Sequence, residues 1–60
     1  MDATEVHAHA RKLFEAHGVK AIAEAAQKAN VLEAQGEADS ARDWRRIEAA
    51  LRAMQGPRES

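Results

Sequence analysis

The chain has 60 residues, with 10 acidic and 9 basic side chains, three histidines and a formal net charge of −1. That length fits one small domain, near the size at which a single core is only marginally stable by itself. The charge balance argues against a nucleic-acid binder that depends on a basic surface, so nucleic acid is not an expected partner. With no cysteine, disulfides, a thiol nucleophile and a cysteine-ligated zinc are all excluded.

The hydrophobic fraction of 45% overstates the core, because fifteen of those residues are alanine and only twelve are larger, Met1 among them. Burying a large apolar side chain contributes roughly 1.5–3 kcal/mol and alanine much less. Ordering the backbone costs roughly 1–2 kcal/mol per residue. The balance is thin. Alanine favours the helix and lets helices approach closely, so the composition predicts a very helical protein that gains full stability by packing against a second copy or a partner.

Residues 1–3 form a chain end, with Asp2 or Thr4 available to cap the first helix. The start, Met1-Asp2-Ala3-Thr4-Glu5, lacks the basic residues and apolar run of a signal peptide. No apolar run approaches the length of a membrane span. A soluble cytoplasmic protein without a membrane partner is the expectation.

From Thr4 to His17 the apolar residues Val6, Ala10, Leu13 and Phe14 are spaced as one helical face, and His17-Gly18 interrupts it. Glycine is favoured just past a helix C-terminus and costs about 1 kcal/mol relative to alanine inside one. The phase changes there as well. Continuing the first row would select Lys20, Glu24 and Gln27, whereas the apolar row becomes Ile22, Ala25, Ala26, Ala29 and Leu32. One straight helix cannot bury both faces against one partner. The spacing predicts two helices, over 4–17 and 19–35, with a single kinked helix as the alternative.

Gln35-Gly36-Glu37 is the second break, and Glu37, Asp39 or Ser40 can cap the helix after it. This third helix is expected over 38–54, where Trp44, Ile47, Leu51 and Met54 form one stripe and Arg42, Arg45, Arg46 and Arg52 project from the other side. Gly56-Pro57 ends it, and 55–60 is expected to be a tail. Trp44 is the only tryptophan, and its size makes it the expected anchor of the core, with the earlier residues as its cover.

The pattern His17-Gly18, then Gly36 followed by an acid, then Trp44-x-x-Ile47, resembles a family of short alphaproteobacterial proteins of unknown function. The resemblance spans about residues 5–54. It departs from the family in two ways: Glu37 stands where aspartate is usual, and the middle helix carries alanine where larger aliphatics are common. The resemblance implies a compact helical protein and brings no activity, cofactor or partner.

Few residues could carry chemistry. Glu5 and His9 are four apart on one helical face and could supply two metal ligands, completed by a second copy; the alternative is a solvated surface couple. His7 and His9 point about 200° apart and cannot share a metal within one chain. His17 is placed to meet free carbonyls at a helix C-terminus. The four arginines could contact phosphates as a helix-turn-helix face. Asp39, Asp43 and Glu48 interleave with them, however, so a salt-bridged surface is the competing reading. Hydroxyls are scarce and no glycine-rich phosphate loop exists, so no enzyme and no cofactor are expected.

The sequence therefore predicts an all-α, three-helix domain over 1–60, a helical hairpin with a broken first arm, completing a bundle as a homodimer. The expected function is protein–protein interaction, as an accessory or scaffold protein that packs against itself or another helical protein. The residues expected to carry it are Trp44, Ile47, Leu51, Met54, Phe14, Leu13, Ile22 and Leu32. A nucleic-acid-associated regulator acting through Arg42, Arg45, Arg46 and Arg52, and a metal-binding helical oligomer acting through Glu5 and His9, stand as alternatives.

Overall fold

The structure is a computed structural model that describes residues 1–56; Pro57, and with it most of the expected tail, lies outside the described residues. Three helices succeed one another: α1 (Ala3–His17), α2 (Lys20–Ala34) and α3 (Ala38–Gln55). The fold is all-α, and no described helix is long and apolar enough to cross a membrane.

The break at His17-Gly18 is a full reversal. Met1 and His9 lie against residues 43–46 of α3, and so do Asn30 and Glu33 near the other end of the α1–α2 segment. A continuous α1–α2 rod would hold those two groups more than about 30 Å apart. Instead α1 and α2 run antiparallel and α3 runs beside both, within a molecule whose longest dimension is 37 Å. The kinked-helix alternative does not survive this geometry.

The reversal is made by one residue. The Gly18 N–H donates to the Phe14 carbonyl at 2.7 Å, and Gly18 itself adopts φ 64°, ψ −142°. That combination is open to glycine and strongly disfavoured for a residue with a Cβ. Val19 is already right-handed helical and α2 begins at once behind it, with no side-chain cap. At the other turn, Glu37 N–H donates to the Leu32 carbonyl at 2.8 Å and Gly36 N–H to the Glu33 carbonyl at 3.1 Å. With Gly36 at φ 80°, this pair of bonds is a Schellman ending. Asp2 caps α1 through a reciprocal box with Glu5. The cap expected from Glu37, Asp39 or Ser40 is not made: Glu37 is the N-cap residue of α3 by position, without a side-chain bond.

The core differs from the sequence expectation in its centre. Trp44 is only partly buried; the large side chains fully enclosed are Ile47 and Leu51. Around them sit Val6 and Ala10 from α1 and Ala21 and Ala25 from α2, with Ala29 and Ala41 also buried. The alanine face of α2 lets it lie close along α3, which is the most extensive helix pairing, while α1 and α2 touch each other least. Tryptophan is the largest apolar side chain in the sequence, yet its ring lies at the margin of the core, packed against it and meeting His9.

Ile47→Ala and Leu51→Ala should each lower the unfolding free energy by about 2–5 kcal/mol, read by chemical denaturation. Trp44→Ala should lose less than the roughly 3–5 kcal/mol of an enclosed tryptophan, because water can enter the vacated space. Ala25→Leu, a gain of apolar volume, should destabilise by about 1–3 kcal/mol through overpacking. A neutral Ala25→Leu would contradict close α2–α3 packing.

Candidate interaction surface

Chemistry-bearing residues do not converge. The Glu5 carboxylate accepts from the Asp2 backbone N–H at 3.3 Å, as half of the α1 capping box, while Asp2 accepts from the Glu5 N–H at 2.9 Å. His9 turns instead to Trp44, edge to face, with ring centroids 5.2 Å apart and planes at 63°. Glu5 and His9 line one open depression with Met1, Ala8 and Lys12, but among the described residues no group of three or more His, Asp or Glu side chains could hold a metal ion. His17 does not meet the carbonyls of its helix end; its Nδ1 contacts the Glu24 carboxylate across the Gly18 turn.

The arginine face of α3 is occupied within the chain. The Arg45 guanidinium donates to Asn30 Oδ1 at 2.9 Å and grips Glu33 with two nitrogens, at 3.0 and 3.3 Å. The hydrogen bond to Glu33 raises its pKa further above an already high value. Glu48, 14% exposed, lies 3.7 Å from Arg45 and 2.7 Å from Arg52. Arg42 faces Asp39 at 3.6 Å, and Arg46 donates to the Met1 carbonyl at 3.3 Å. Asp43 stands 3.5 Å from the Met1 amino group rather than pairing with Arg46. Fork-on-carboxylate contact gives Arg45 direction as well as attraction, so Asn30 and Glu33 tie α2 to Arg45 on α3, while Glu48 meets Arg45 and Arg52 along α3 itself. Sequence reasoning did not find Asn30 or Glu33 as partners: they lie 15 and 12 residues from Arg45, and no local spacing signals them.

What remains is apolar. Of the eight residues expected to form core or interface, Ile47 and Leu51 are enclosed, whereas Leu13, Phe14, Ile22, Leu32, Trp44 and Met54 are partly buried. Met1, Val19 and Val31 are exposed. The chain thus spends its interior on small residues and leaves most of its large ones at the rim. Among the described residues no buried side-chain nitrogen or oxygen lacks a partner. In comparison with known proteins, the chain matches no family model, no curated protein and no solved structure.

Removing the fork tests the role of the arginine network. Arg45→Gln should lower the melting temperature by a few degrees at low salt, with most of the difference gone near about 1 M salt, where exposed ion pairs are screened. An unchanged melting temperature at low salt would mean that the network is ornamental to the α2–α3 register.

Proposed function

We propose that this protein is a small helical interaction module, an accessory or scaffold subunit that works by helix packing, with a second copy of itself as the first partner. The observation that carries the reading is the distribution of size against burial. Alanines fill most of the enclosed positions, while Phe14, Leu13, Ile22, Leu32, Trp44 and Met54 keep part of their apolar surface in contact with water. Large apolar side chains left at a rim lose that water when another helix covers them, and each then contributes apolar burial that the lone chain does not gain. The α3 arginines have partners within the chain in Asn30, Glu33, Asp39, Glu48 and the Met1 carbonyl, which supports an apolar surface over a phosphate-binding one for recognition.

Sedimentation across a dilution series tests this. A monomer–dimer equilibrium is expected, and Met54→Glu should weaken it about tenfold or more while leaving the helical circular-dichroism signal intact. A chain that is monomeric at every concentration and equally stable at all of them would overturn self-association.

A further inference from the structure

The reversal between α1 and α2 rests on a single residue. From Ala3 to Ala34 every residue lies within a helix except Gly18 and Val19, and Val19 already has helical torsions, φ −61° and ψ −26°. Hydrogen bonds from Ala21 N–H to the Gly18 carbonyl and from Ile22 N–H to the Val19 carbonyl, both 3.0 Å, already wind the connection. Rotating Gly18 alone from φ 64°, ψ −142° into the helical region would convert α1 and α2 into one rod of about 48 Å.

Little holds α1 directly to α2. They are the pair of helices in least contact. Among the described residues, the only polar side-chain contact joining them is His17 with Glu24, both about half exposed. In a straight helix those two residues stand two turns apart and separate. What chiefly keeps α1 in place is its seat on α3, in a core where Val6 and Ala10 join Ile47 and Leu51 together with Ala21 and Ala25 of α2, with Leu13 and Phe14 at the margin.

We propose that α1 is an exchangeable arm: Gly18 straightens, and α1 of one copy docks on the α3 seat of a second copy, giving a reciprocal dimer with two continuous α1–α2 rods. The occupant is fixed by the seat itself, since the surface that receives α1 is the one α1 already fits. Short connections at a single pivot favour this exchange over refolding within one chain. The inference rests on the self-association proposed above and specifies its geometry.

Gly18 makes the idea testable in a direction that ordinary destabilisation does not share. A Cβ built there meets nothing within 4 Å, so alanine costs the turn only its backbone torsions. In the continuous rod alanine is the better residue. Gly18→Ala should therefore tighten dimerisation, by at least about a hundredfold across the two pivots of the dimer. Inserting three Gly/Ser residues after Gly18 should do the reverse, relaxing the turn and leaving a folded monomer.

Spin labels on His7→Cys and Lys28→Cys, both exposed sites in a chain without native cysteine, report the arm directly. In the bundle the two sites lie eleven and ten residues either side of Gly18, at similar heights on antiparallel neighbours whose axes are about 10 Å apart. In the rod they stand about 32 Å apart. Doubly labelled chain diluted into excess unlabelled chain isolates the intrachain distance. The exchange predicts the long distance in the dimer fraction of the Gly18 parent and of Gly18→Ala, and the short one in the monomer. A dimer that keeps the short distance would overturn the exchange while leaving self-association intact. No dimer in the parent, Gly18→Ala or lengthened-turn chains would overturn both. If Gly18→Ala fails to fold, the distance in the parent dimer decides by itself.

Discussion

Ala21, Ala25 and Ala29 have no exposed surface, and that fact shapes the rest of the molecule. Three methyl groups one helical turn apart make a smooth face, and a smooth face lets the α2 backbone come close to α3. Close approach brings Ile47 and Leu51 into full enclosure and aligns Arg45 with Asn30 and Glu33 on the neighbouring helix. Trp44 packs at the margin of this core, where its ring and that of His9 meet edge to face. A core of this kind is stabilised by proximity and dispersion more than by transferred area. Its large side chains consequently stay available at the surface.

The second constraint is the pair of turns. Both use glycine at positive φ, yet they do different things. Gly36 closes α2 together with Glu37, the Gly36 N–H donating to the Glu33 carbonyl and the Glu37 N–H to the Leu32 carbonyl, and passes the chain to α3. Gly18 shares one such role, its N–H meeting Phe14, and then turns the chain with torsions that few other residues could supply. α3 packs against both other helices, and more extensively against α2 than against α1.

Much of the fold is legible in the sequence because helical spacing and glycine placement are local signals. The phase change between the Val6–Ala10–Leu13 row and the Ile22–Ala25–Ala29 row marks the break at Gly18, and the alanine content is visible as a capacity for close helix approach. The direction of the chain after Gly18 is not legible, since a phase change says that two faces differ and not by what angle the axes turn. Trp44 looks like the anchor for a related reason: periodicity places it on the apolar face of α3 but does not say how near the neighbouring backbone comes. The position of His17 at a helix end suggests free carbonyls as its partners, yet the Glu24 carboxylate meets it from a helix whose proximity depends on the reversal. The candidate surface is half legible. The names of its apolar residues are there, but which of them are enclosed and which stand at the rim is decided by packing.

Residue-resolved native-state hydrogen exchange on the full chain tests most directly whether the alanine-lined hairpin carries the fold. The slowest amides should lie in the middle of α2 and α3, around Ala25, Ala29, Ile47 and Leu51, exchanging only through global unfolding. Amides of α1 should exchange faster, through a sub-global opening that leaves the α2–α3 hairpin intact. Protection in α1 equal to or greater than that of α2 and α3 would contradict a fold built on the alanine-lined hairpin with α1 as its attached arm.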